Sequence, residues 1–301
     1  MSRILPSLLR QPFETGLSKL LQPEGTGPDD FRFPEGEAAL TTPDSVSWRV
    51  FKNPVSVFIG GVAAVLLELA EPGVRSGVWL HSSFRERPVE RLRRTGYAAM
   101  MTVYGPRSRT EALIAGVTRR HGQVNGVAPD GRAYSATDPK LLDWVHATAS
   151  FGFLEAYHRF VDPVGLPDRD RFYQEGQPAA RLYGAMSVPS SEADMAALLM
   201  RMAPQLEPSD VLHEFLHIVR AMPALPPALR PLQRLLVTAA MMVLPAGLRD
   251  RLDLAGVATL SPWQEGLVRH VGAAMDHLVL RSHPAVQACR RLGLPDDHLY
   301  G

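Results

Sequence analysis

PKLLDWVHATASFGFLEAYHRF, residues 139–160, decides the fold class. Apolar side chains recur through it at spacings of three and four for some six turns, and a proline occupies the first helical position. It predicts one long, largely buried helix. The same reading extends in both directions. Pro88 opens the helical run that continues as VERLRRTGYAAMMTVYG. Residues 55–70, VSVFIGGVAAVLLELA, form the longest apolar stretch. It falls short of the ~20 residues a membrane span needs, so it predicts a buried core helix. Ser209-Asp210 offers an N-cap to VLHEFLHIVRAM, and Ser261 with Gln264 fits a capping box. The clear non-helical element is QVNGVAPDGRAYS, residues 123–135. Its Pro129-Asp130-Gly131 reads as a tight turn between two short strands. The expected fold is mainly α: a single helical domain with a short β-hairpin near 123–135. Residues 1–45 read as a lead-in with one short helix (Phe13, Leu17, Leu20, Leu21), and residues 46–301 as the main domain. Residues 23–37, rich in Pro, Gly and Asp, predict little structure.

Composition narrows the chemistry. With 46% hydrophobic and 21% charged residues, the 301-residue chain is neither disordered nor membrane-embedded throughout. A net charge of +1 gives no field for nucleic acid. Only Lys19, Lys52 and Lys140 are lysines; the other 29 basic residues are arginines, suited to clamping carboxylates. The single Cys289 excludes an internal disulfide framework and four-Cys metal sites, and it reads as a small buried side chain. Ten histidines remain as metal-ligand chemistry. The N-terminus MSRILPSLLRQPF, broken by Pro6 and Pro12, has no apolar core of a secretory signal. A cytoplasmic protein is the expectation, and peripheral membrane contact stays compatible with it. No P-loop, G-x-G-x-x-G or G-x-S-x-G is present.

Four constellations could carry function. Arg91, Thr95, Ala98 and Thr102 fall on one helical stripe, a small-residue face headed by a guanidinium. It would accept a flat body and offer two donors to a carboxylate. It would equally suit a close helix crossing with the guanidinium in solvent. His121 follows Leu113 and Val117 at four-residue steps, with Gly122 as the helix stop. Its imidazole could cap the last carbonyls or ligate a haem iron. HEFLH, residues 213–217, is a literal H-E-x-x-H in which His213 and His217 could hold zinc beside Glu214. The residues that follow supply no third ligand, so a zinc hydrolase ranks second to an amphipathic helix with surface histidines. His81 and His146 lie in apolar, aromatic surroundings and read as core histidines or as neighbours of a bound cofactor. His158, His270, His277, His283 and His298 read as surface or helix-end residues.

Taken in order, RLRRT, then HGQVNGVAPDGRAYSATDPKLLDWVHAT, with VLLELAEPGVRSGVWLHSSF before them, resemble one known family. This is the haem-binding domain shared by latex-clearing rubber oxygenases and the fungal mpaB-type oxygenases, formerly a domain of unknown function. The resemblance is densest within residues 51–161 and continues more weakly through FYQEGQPAARLYGAM and ALRPLQRLLVTAAMMVLPAGLR. It implies a helical fold enclosing non-covalent b-type haem, and an oxygenase that uses O2 on a small hydrophobic, terpenoid- or polyketide-like substrate by oxidative C=C cleavage. It implies His121 as the iron ligand and Arg91 as the partner of a haem propionate or a support of the distal side. Thr95 would line the pocket, with His81 and His146 as further candidates around the haem. Rubber oxygenases carry a lysine immediately before the threonine that can cap the iron. Here that position is Arg94, whose permanently charged guanidinium cannot ligate a metal, so the sixth iron site is expected to be open. Glu68, Glu71 and His81 are the general acid–base candidates. A peroxidase- or dehydrogenase-like variant and a haem-binding member without turnover remain as alternatives.

Overall fold

The computed structural model describes residues 25–27, 29–257 and 259–300. The expected short helix around Phe13 to Leu21 lies outside them. Helices dominate: α1 (Asp29–Arg32), α2 (Val46–Phe51), α3 (Pro54–Ala70), α4 (Pro72–His81), α5 (Pro88–Tyr104) and α6 (Arg107–His121) precede a hairpin. Strands β1 (Asn125–Val127) and β2 (Ala133–Ser135) pair antiparallel, with Gly126 opposite Tyr134. Then follow α7 (Pro139–Phe160), α8 (Leu166–Tyr183), α9 (Glu192–Met202), α10 (Asp210–Ala221), α11 (Arg230–Val243), α12 (Ala246–Arg251), α13 (Pro262–Asp276) and α14 (Pro284–Arg291). The fold is mainly α with one short hairpin, as the sequence predicts.

The start signals act where the sequence places them. Pro88 and Pro139 each open a helix, and Asp138 caps α7 by accepting the Lys140 N–H at 2.9 Å. Gln264 accepts the Ser261 N–H at 2.9 Å, the return half of a capping box. Ser209 sits at the N-cap of α10, but its hydroxyl makes no capping bond. In the hairpin turn, Gly131 takes φ +83°, a conformation that costs a glycine little.

Two long helices make the centre. α3 runs along α7, and the backbones approach most closely at Gly60 and Gly152: a Cβ on Gly60 would stand 2.7 Å from the Gly152 carbonyl oxygen. Trp144 Nε1 donates to the Leu67 carbonyl at 3.2 Å, fixing the register of the pair. The apolar segment is thus a buried core helix. Among the described residues no single helix is long and apolar enough to cross a membrane; α3 and α4 meet at a bend of 109°.

The Pro/Gly/Asp-rich lead-in is more structured than its composition predicts. Phe31 is buried against Tyr97, and buried Arg291 of α14 donates to the carbonyls of Phe31, Glu37 and Tyr104. A short segment without a core of its own is ordered here by a guanidinium from the other end of the chain.

Candidate functional site

α3 is buried on nearly every face, yet Phe58, Gly61, Val65 and Glu68 keep accessible surface. They recur every three or four residues, so one stripe of the central helix is less fully covered than the rest, with Phe58 and Val65 still packed against the core. Opposite lies α5, whose helix packing is against α2, α6 and α14. Arg91 of α5 and Glu68 of α3 nonetheless lie close enough for each charge to act on the other. The two helices therefore face each other across side chains. On α5 a Cβ on Gly96 would meet nothing within 4 Å.

Burial pushes the Glu68 carboxyl up to about 7, and the positive charge of Arg91 only partly opposes this. Burial also lowers Arg91 from the usual guanidinium range; Glu68 works against that lowering and Arg94 adds to it. Arg91 donates to Thr95 Oγ1 one turn on, and Thr95 Oγ1 in turn donates to the Arg91 carbonyl at 2.9 Å. His121 ends α6, with the Gly122 N–H returning to the Thr118 carbonyl at 3.1 Å. Gly122 keeps a right-handed conformation (φ −58°), so it ends the helix without the left-handed cap its residue type suggests. Burial, then the charges of Arg91 and Arg120, lower the imidazole below its ordinary value. Neither His121 ring nitrogen has a hydrogen-bond partner among the described residues. The charge of Arg91 thus acts both on the uncommitted imidazole of α6 and on the raised carboxyl of α3.

The remaining predicted residues are placed more widely. Arg94 is exposed and donates to Ser83 Oγ at 3.1 Å, with Glu90 at 3.7 Å, so it is held toward the loop before α5. His146 of α7 packs against α8: a Cβ on Gly176 would be 3.2 Å from its Nε2. Burial drives it down to about 4, and the Asp143 charge offsets little of this. Like Glu68, it lies deep yet retains accessible surface. His81 is exposed at the end of α4, and its Nε2 is 3.1 Å from the Tyr134 hydroxyl on the hairpin. Glu71 caps α4 by accepting the Val74 N–H at 2.6 Å. The structure therefore gathers Arg91, Thr95, His121 and Glu68, sets His146 on the α7–α8 contact, and leaves His81 on the hairpin.

At the C-terminal end of the small-residue stripe, Thr102 Oγ1 meets the Tyr183 hydroxyl of α8 at 3.3 Å, a contact with no sequence signal. Glu68 did carry one. It is the only charged residue in the apolar stretch 55–70, and a lone carboxylate in a core helix needs a reason.

His213 and His217 of the H-E-x-x-H segment are exposed, and Glu214 is forked by Arg85 at 2.8 and 3.3 Å. No cluster of three His, Cys, Asp or Glu side chains suited to a metal occurs among the described residues. α10 is amphipathic, with His213 and His217 on its exposed face and Leu212, Phe215, Leu216 and Val219 buried. Cys289 is wholly buried, as expected. His283 is the helix-end residue the sequence suggests, but a buried one. It is 2% exposed, caps α14 through Nδ1 and is pushed down to about 4 by burial. Its place just before Pro284 suggests a helix end, but α14 packs against α1 and α5, which cover it.

The donor set fits a haem. A neutral imidazole with free nitrogens can ligate iron, and Arg91 can meet a propionate. The family described as "ER-bound oxygenase mpaB/B'/Rubber oxygenase, catalytic domain" matches residues 48–277, and this span contains all of these groups. No curated protein and no solved structure matches the chain. The matched span covers most of the sequence, and the chain belongs to the mpaB/rubber oxygenase catalytic-domain family.

Proposed function

We propose that this oxygenase-family chain is a b-type haem-dependent oxygenase. Its substrate would be a small hydrophobic molecule of terpenoid or polyketide type, cleaved oxidatively at a C=C bond. The proximity of the Arg91 charge to both His121 and Glu68, together with the free ring nitrogens of His121, carries this reading. Residues 46–301 would form the working domain, with 1–45 as its lead-in.

When bound, haem supplies the O2 chemistry. His121 would hold the iron through its free ring nitrogen, and its depressed basicity keeps that nitrogen unprotonated at neutral pH. Arg91 would pair with a propionate, and the Thr95 hydroxyl holds its guanidinium along the α5 face. Arg94, tied to Ser83 and Glu90 and carrying a guanidinium that cannot ligate a metal, would not compete with His121 for the iron. Glu68 is suited to hold or move a proton at its carboxyl oxygens, because its pKa near neutrality lets it give and take protons at little cost. Phe58 and Val65 on the same stripe exclude water from an apolar substrate.

Reduction with dithionite, then exposure to isotopically labelled O2 with candidate alkenes, tests the reading. Labelled carbonyl products are expected. A haem-replete protein that incorporates no label into any alkene would be a carrier instead.

A further inference from the structure

A second cleft, of about 600 Å³, opens where the start of α7 meets α9 and the hairpin. None of Glu68, Arg91, His121 or His146 lines it. Its floor is apolar: Trp144 is buried, and Leu141, Leu198 and Met202 are half-buried. Its rim carries two exposed cations, Lys140 and Arg201.

The carboxylates that share the cleft are already engaged. Asp138 accepts the Lys140 N–H at 2.9 Å, and Asp143 accepts the Met186 and Ser187 N–H groups at 2.6 and 2.9 Å. Glu71 accepts the Val74 N–H at 2.6 Å. The third cation, Arg132, is paired with Asp130 at 2.5 Å and lies 3.8 Å from Glu207. The side-chain charges of Lys140 and Arg201 have no carboxylate partner among the described residues. The volume falls within the roughly 300–1,000 Å³ typical of small-molecule sites.

An apolar floor under uncommitted rim cations complements a molecule that is apolar at one end and anionic at the other. The three neighbouring carboxylates would repel a doubly charged phosphate, so the head group is a monoanion that a guanidinium can fork. We propose that this cleft binds an amphipathic carboxylate, its apolar body on Leu141, Leu198 and Met202 and its carboxylate on Arg201 and Lys140. The site is independent of the haem reading, because none of Phe58, Val65, Glu68, Arg91, Thr95 or His121 lines it.

Calorimetric titration of the full chain with decanoate, below its micelle-forming concentration, tests the proposal. Saturable binding is expected. It should weaken by about tenfold or more in the Lys140→Gln/Arg201→Gln double variant. Both positions are exposed, and unchanged circular dichroism would confirm the fold. Decanol should bind the parent and the double variant equally, decyl phosphate should bind more weakly than decanoate, and Leu198→Ser, which removes apolar surface without adding charge, should weaken decanoate and decanol alike. Three results would overturn the proposal: no saturable decanoate binding, equal decanoate affinity in the double variant, or tighter binding of decyl phosphate.

Discussion

The Glu68 carboxyl on α3 titrates far from its ordinary range because it is buried. Its pKa is raised in the folded chain, so the folded state holds a proton that the unfolded state has released between pH 4.5 and about 7. This contribution to stability is therefore complete below about 4.5 and is lost as pH rises through about 7. Its upper bound is roughly 3 kcal/mol. In the haem-free protein, Glu68→Gln should remove this decline, which thermal melts across pH 4.5–7.5 would register as a flatter Tm profile. His146 and His283 run the other way. Their pKa values are depressed to about 4, so stability from keeping them neutral is present above about 6.5 and lost as pH falls toward 4. His283→Gln should blunt acid unfolding in that window. In turnover, Glu68→Gln should lower kcat by about 10²–10⁴-fold if the carboxyl moves a proton in the rate-limiting step. It should also abolish the limb of the pH–rate profile near 7. A merely structural role would leave that limb in place.

At the level of elements, the contact between α3 and α7 positions the site, because α3 carries Glu68 and α7 carries His146. Gly60 and Gly152 allow backbone to meet backbone there. Gly60→Ala places a methyl group against the Gly152 carbonyl with no side chain to yield, so the helices must separate. Overpacking of this kind costs about 1–3 kcal/mol, measurable by urea denaturation, and it should weaken haem retention as well as stability. Much at this scale was legible in the sequence. Pro88, Pro139 and Asp138 mark helix starts by local chemistry, and the Pro129-Asp130-Gly131 turn marks the hairpin, so these elements need no tertiary information. α1 was not legible. Nothing in Asp29–Arg32 encodes that Arg291, some 260 residues on, donates to the Phe31 carbonyl. The burial of His283 is hidden for the same reason, since the packing of α14 against α1 and α5 decides it.

Across the whole molecule, the C-terminal segment is drawn into the core by one buried charge. Lys52 donates to the Leu299 carbonyl at 2.7 Å, pairs with Asp276 at 3.1 Å and stacks on the Tyr300 ring. Asp276 also accepts from Asn53, the cap of α3. Lys52→Ala leaves that carboxylate buried without its cation, so a loss of about 3–5 kcal/mol in calorimetric unfolding is expected. The candidate site was only partly legible at this scale. Arg91, Thr95 and His121 stand out as an ordered set of motifs, and the fold brings them together. The partnership of Glu68 with Arg91 depends on how α3 and α5 face one another, which no local spacing encodes. His81 shows the converse, because its aromatic neighbourhood in sequence becomes a hairpin contact in space. The central claim is that His121 holds haem iron beside Arg91, and a haem titration followed in the Soret region tests it most directly. The account predicts a stoichiometric Soret band in the parent chain and in His213→Ala, and its loss in His121→Ala with the fold intact. A parent chain that takes up no haem, or a His121→Ala protein that keeps the band while His213→Ala loses it, would contradict the account.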